Sequence, residues 1–531
     1  MKIENQKMKK ASQKTNKVSL KTESGSEEEE SDSKESGSED EESGSKNEEN
    51  GSKDVTMQIP MGRLHYLVCG LWSDHNASQL DAVCQFKMLL AMEYPPPIDE
   101  VIATGVVQRF VEFLARDDFP RLQWEAIMVL TNIACGTSEH ARVVIEHGAI
   151  PIFVKLINSP ATASYVKELV VWSLGNVSDD SQQIRELALS HGAMTSLISL
   201  LDMHPTRTTL QTVAETLPKF CMTGNLEQTK LALAVLERLI HSTDEYILSR
   251  VCSALGYICD GTDEKTQAVI EAMVCQRLVE LLLHPSPSVV AQALWAFTMF
   301  VSGDYETHTE TRCIINQALP CLLNLITQTH YGSLKKEACE TILNITAGYE
   351  EQIQAVITAG IIGPLVDLLQ TAEYVIKKEA AIAILNATVN SSAQQIKYLV
   401  SQGCIRGLCD FLTSPDSDIV RQCLEGLENI LKAGETEKIG DKNIYAELMD
   451  ETKVLEKIEN LQSHCNNNIS EKALTMRGTY WPEYAGKDGL LYGDGVEIRQ
   501  SFMTQRRPFK TDEYAAQVEI KRLKVMGLVI S

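Results

Sequence analysis

From about Gly62 onward the chain is a succession of apolar stretches of helical length, cut by turn residues. In one of them Leu169, Val170, Val171 and Leu174 can pack inward, while Trp172 and Asn176, four residues apart, share one face one turn apart. The arrangement recurs. Asn132, Asn344, Asn386 and Asn429 stand at corresponding points of similar apolar stretches, and Lys219, Tyr257 and Met299 hold the equivalent slots between them. Successive separations along this series are 44, 43, 38, 42, 45, 42 and 43 residues. A second marker keeps the same beat: Gly105, Gly148, Gly192, Gly360 and Gly403 each open an apolar helix. Breaks fall between repeats, at Pro95 to Pro97, Ser159-Pro160, Pro205, Pro285 with Pro287, Gly303-Asp304 and Pro415-Asp416.

Helical repeats of about 40–47 residues are the mark of armadillo or HEAT arrays. The pattern predicts an all-α fold, an armadillo-repeat right-handed solenoid over residues 62–480, with repeats from Ile98 to Ala433. The stretch 435–446 reads as a polar insertion, and an amphipathic helix from Val454 to Gln462 as the cap of the array. Residues 1–53 have another character. Residues 1–21 hold seven lysines, one acid and no arginine, and Glu23 to Glu49 hold thirteen acids against two lysines. Such a segment cannot bury enough apolar surface to offset its ordering entropy, so a disordered, Lys-rich then acidic N-terminal tail is expected. Residues 481–531 form a divergent C-terminal tail without an assigned role.

Charge and cysteine usage narrow the function. A net charge of −23 repels nucleic acid and favours basic partners. The fourteen cysteines include no Cys-x-x-Cys pair. Cys135, Cys221, Cys252, Cys339 and Cys423 lie in apolar helical stretches, as expected of reduced, buried thiols in the cytoplasm or nucleus. No apolar run is long enough to span a bilayer. Neither a phosphate-binding glycine loop, a nucleophile elbow nor a His-Glu-x-x-His helix is found, which argues against an enzyme. The densest His/acid cluster (Asp304, Glu306, His308 and Glu310) reads as a solvated linker, and His147 and His191 as helix-end residues.

The chemistry that stands out is peptide capture. An amide at Asn176 can pair with a peptide backbone, the Trp172 ring can flank a lysine stem, and Asp180 just past the helix can take the ammonium.

Several long runs carry a resemblance. Pro96-Pro97-Ile98-Asp99-Glu100-Val101-Ile102, Leu130 to Ala134, Lys335 to Cys339, Glu351 to Ile357 and Leu427 to Leu431 are similar to importin-α (karyopherin-α), over roughly residues 65–480. The resemblance implies an adaptor that binds basic nuclear localisation signals for import, shuttling between cytoplasm and nucleus. It implies a major site at Asn132, Trp172, Asn176, Asp180 and Tyr257, and a minor site at Glu337, Asn344, Glu379 and Asn386. No cofactor or metal is implied.

The chain also departs from the family pattern. Met128, Glu215, Ser253, Glu340 and Ile382 stand in slots where the family has tryptophan, Lys219 replaces an asparagine, and Arg250 replaces an acid. Trp124, one turn before Met128, is expected in the core, the alternative being that it compensates for the missing ring. Lys219 and Arg250 are expected to oppose a uniformly basic peptide, the alternative being that both snorkel into solvent. A weakened receptor follows. The family recruits importin-β through an arginine-rich N-terminus; with lysines only, this partner is either lost or bound through a poor substitute. The alternative is an armadillo scaffold that holds partners without delivering them.

Overall fold

In the computed structural model, residues 61–92, 95–179, 181–203, 205–303, 309–436 and 443–482 are described. The expected tails (residues 1–53 and, past 482, the C-terminal one), part of the 435–446 insertion, Asp180, and Asp304, Glu306 and His308 lie outside them. All regular structure among the described residues is helical.

Each repeat ends in a helix that packs against its counterpart in the next. Numbered along the chain, these ladder helices are α1 (Asn76–Met92), α2 (Pro120–Ala134), α3 (Ser164–Asp179), α4 (Arg207–Cys221) and α5 (Glu245–Cys259). They continue as α6 (Pro287–Ser302), α7 (Gly332–Thr346), α8 (Tyr374–Val389), α9 (Ser417–Glu435) and α10 (Asn467–Tyr480). Every neighbouring pair from α1–α2 to α9–α10 is in contact. A second row, including Ala149–Asn158, Ala193–Leu201 and Leu226–Leu239, packs alongside and stacks on itself. The result is the solenoid that the period predicts. Within the expected span of 62–480, α1 packs into the array ahead of the Ile98 start of the repeats, and α10 follows the Val454–Leu461 helix and packs on α9, so the array closes one helix after the expected cap.

The core is continuous from repeat to repeat. Phe86, Phe110, Phe153, Phe220, Phe297 and Phe300 are fully buried along it. Burying one such ring contributes about 1.5–3 kcal/mol. Cys221, Cys252, Cys339 and Cys423 are buried as expected; Cys135, at the end of α2, is exposed.

The glycine marker has a backbone cause. Gly105, Gly148, Gly192, Gly360 and Gly403 all have positive φ, between 72° and 87°. Each turns the chain out of one helix and into the next, and a Cβ there would touch nothing, so the requirement is conformational rather than spatial. His147 and His191, just before two of these glycines, donate from Nδ1 to the carbonyls of Val143 and Leu187 at 2.7 and 2.9 Å, closing the helix ends as expected. Met273 holds the same turn, between Asp263–Glu271 and Cys275–Leu281, at φ 57°. A left-handed non-glycine residue costs about 1–2 kcal/mol, and this side chain is 78% exposed, with little packing to lose. Met273→Gly is therefore expected to stabilise the chain by about 0.5–1 kcal/mol once the extra freedom of unfolded glycine is deducted. A higher urea midpoint checks this; an unchanged or lower one contradicts it.

Candidate peptide-binding face

A ladder helix packed on both neighbours and on the second row has one stripe left. On α3, Val170, Val171, Ser173, Leu174, Gly175, Val177 and Ser178 are buried. Tyr165, Glu168, Trp172, Asn176 and Asp179 keep partial or full exposure at helical spacing. The same holds along the array: Met128 and Asn132, Glu215, Tyr257, Trp295 and Met299, Glu340 and Asn344, and Ile382 and Asn386 are all half-buried on otherwise buried helices. Glu337 and Glu379, seven residues before Asn344 and Asn386, belong to the same stripes and are also half-buried. Side chains reach between neighbouring helices at Lys219–Asp179, Arg250–Glu215, Tyr257–Trp295 and Lys336–Glu379. All the expected site residues except Asp180 lie on these stripes.

Their bonding differs. The Nδ2 atoms of Asn132 and Asn344 are buried and have no hydrogen-bond partner among the described residues. Asn386 instead donates to the Leu343 carbonyl of α7 at 3.1 Å. A buried amide without a partner costs about 1–3 kcal/mol.

Trp124 corrects the sequence expectation. It is half-buried, in line with Met128 and Asn132 rather than in the core, because four-residue spacing keeps all three on one face. Lys87 of α1 lies over its ring at 5.0 Å and pairs with the buried Glu125 at 2.8 Å.

Lys219 and Arg250 are neither solvated nor unopposed. Lys219 is only 8% exposed and reaches back to Asp179 at 3.6 Å. Arg250 pairs with Glu215 at 3.0 Å and stacks over Tyr246 at 5.2 Å, while the Tyr246 hydroxyl also donates to Glu215. The two departures in the third and fourth repeats therefore answer each other across α4 and α5. The expected clash with a basic peptide is largely absorbed within the fold.

At the minor site the acids are also engaged. Lys336 pairs with Glu340 at 2.8 Å and approaches Glu379 at 3.7 Å. Burial works to lower the Lys336 ammonium's pKa, but the Glu340 hydrogen bond and the surrounding carboxylates outweigh it and raise it. Burial, then the charge of Glu340, pushes the Glu337 carboxyl above its usual range. One repeat on, Lys378 pairs with Asp416 at 2.5 Å, and Asp416 also caps α9 through the Asp418 amide.

The Lys378 hydrogen bond holds the Asp416 carboxyl below its usual 3.8. A lowered folded-state pKa adds stability that is complete above the unfolded value and fades as pH falls through the folded one. Asp416→Asn keeps a capping oxygen and loses the pair. It is expected to cost about 0.2–1 kcal/mol at pH 7, as for a partly exposed ion pair, and almost nothing near pH 2. Urea unfolding at the two pH values checks this; an equal cost at both contradicts it.

Comparison with known proteins places the chain in a family. Residues 137–179, 262–298, 350–389 and 392–432 match the armadillo/β-catenin-like repeat, and residues 443–491 an atypical Arm repeat. A crystal structure of an engineered protein superposes with a TM-score of 0.68 at 25% identity, covering 77% of this chain and 97% of that one. Importin subunit alpha-1b of Oryza sativa subsp. japonica is 48% identical over 457 residues, 85% of this chain and 84% of its own. Importin subunit alpha-3 of Arabidopsis thaliana is 51% identical over 431 residues, 80% of each chain. With identity near one half over four fifths of such relatives, this chain belongs to the importin-α family.

Proposed function

We propose that this chain is a nuclear-import adaptor that binds lysine-bearing, extended segments of cargo proteins along the exposed stripes of α2 to α8, with its principal station on α3. The observation that carries this reading is the pairing of Trp172 with Asn176: a flat ring and an amide, one turn apart, half-exposed on a helix buried on its other faces. An extended backbone would supply the carbonyls that the Asn132 and Asn344 amides lack, and a lysine stem would lie against the indole. Asp180, one residue past Asp179, lies outside the described residues and enters on sequence alone as the acceptor of the ammonium. The later repeats bind more weakly, since Lys336 already engages Glu340 and Glu379. Each missing ring forfeits about 0.5–1 kcal/mol, or about 2 where water is excluded.

An adaptor must also recruit importin-β and pass between cytoplasm and nucleus. The lysines of residues 2–21 are the available basic segment for that contact. Pull-down of importin-β by the full-length chain separates the adaptor from a scaffold that only holds its partners.

Titration calorimetry with a lysine-rich signal peptide tests the placement. Trp172→Ala is expected to weaken binding by roughly 2- to 30-fold, the equivalent of about 0.5–2 kcal/mol. Asp180→Lys is expected to abolish measurable binding. Asn386→Ala should cost less than twofold, because that amide is already committed to Leu343. Equal losses at Trp172 and Asn386 would place the binding centre elsewhere.

A further inference from the structure

Outside the ladder helices, a cleft of about 300 Å³ opens between Leu226–Leu239 and Asp263–Glu271. Leu233, Ala234, Ala268 and Ala272 form its apolar floor, and Lys230, Glu237 and Glu271 complete the lining. Met273 follows directly on Ala272, in a left-handed turn that glycine makes at five other places, and its side chain is 78% exposed. A strained, exposed methionine beside an open apolar floor weakens the fold, and a contact from outside the chain would offset that cost. The charges beside the floor have a symmetry of their own. Leu226, Lys230, Ala234 and Glu237 recur at helical spacing along the exposed side of their helix. Lys230 stands one turn before Ala234 and Glu237 three residues after it, about 6 and 4.5 Å away along the axis. Neither has an ion-pair partner among the described residues, whereas Glu271 accepts from Gln267 at 3.4 Å. A helix of the same sequence, crossing antiparallel over Ala234, therefore sets each Lys230 beside the other copy's Glu237.

We infer that the outer side of Leu226–Leu239, with its cleft and Met273, is a self-complementary surface on which a second copy of this chain docks about a two-fold axis at Ala234. The exposed alanine lets the two helices approach closely, toward the lower end of the usual 8–10 Å or so between packed helices. Two Lys230–Glu237 pairs fix the antiparallel direction, and the unbranched methionine adds an adaptable apolar contact. Each copy carries a net charge of −23, but repulsion beyond about 10 Å is screened at moderate salt. One helix pair with its cleft is small against the roughly 1,200–2,000 Å² of a stable interface, so the dimer is weak, with a Kd on the order of 10–100 µM. The surface is independent of the adaptor reading and uses none of its residues.

Sedimentation equilibrium of the full-length chain, between about 5 and 200 µM in about 0.15 M salt, tests this. Wild type should show a monomer–dimer equilibrium. Lys230→Glu and Glu237→Lys, each alone, should weaken it by about tenfold or more, because like charges then face each other. An equimolar mixture of the two variants should associate again, since one chain presents two acids and the other two lysines. Recovery in the mixture also shows that both variants remain folded. Met273→Gly should weaken association by roughly threefold without loss of stability. A wild type that stays monomeric throughout, as it would if the cleft served a different protein, overturns the inference. So does a dimer that either charge substitution leaves intact, a mixture that stays monomeric, or an unchanged Kd in Met273→Gly.

Discussion

Lateral packing of the ladder helices is the constraint on which the rest depends. A helix flanked by two neighbours and backed by a second row has three sides buried, so only one stripe remains for contact with anything else. Along α3 this leaves Trp172 and Asn176 outward and Val171 and Leu174 inward. Because each helix repeats the arrangement, the stripes line up on one face and can be read by an extended chain, residue after residue. The turn glycines at positive φ serve the same end, by bringing each following helix back into the stack.

Charge on this face is settled mostly between repeats. Lys87 with Glu125, Lys219 with Asp179, Arg250 with Glu215, Lys336 with Glu340 and Glu379, and Lys378 with Asp416 engage carboxylates on or beside the stripes. The net charge of −23 still draws a basic ligand in, but such long-range attraction is screened within about 10 Å at moderate salt. Local selectivity falls instead to aromatic surfaces and amides that the internal pairs leave uncovered.

The fold was legible because its signal is periodic. Apolar helices at a spacing of 38–45 residues and glycines on the same beat required no knowledge of tertiary contacts. The helix-end role of His147 and His191 was legible for a local reason, their position one residue before those glycines. Ion pairs were not: Glu215 and Arg250 are 35 residues apart, and their meeting depends on how α4 and α5 are offset against each other. Taken one at a time, each looks like an unopposed charge. Trp124 shows a misreading that spacing could have prevented, since positions 124, 128 and 132 share a face. Trp295 is marked by the same period, but a search for tryptophan–asparagine pairs passes over it because Met299 carries no amide. The tails lie beyond reach of the repeat argument altogether, since they carry no period.

The measurement that bears most directly on the central claim is a crystal structure of the full chain with a lysine-rich peptide. The account predicts an extended ligand on the stripe face, its backbone hydrogen-bonded to the Asn132 and Asn176 amides and a lysine stem against the Trp172 ring. A peptide seated on the second row of helices, or on the stripe face without touching α3, would contradict it.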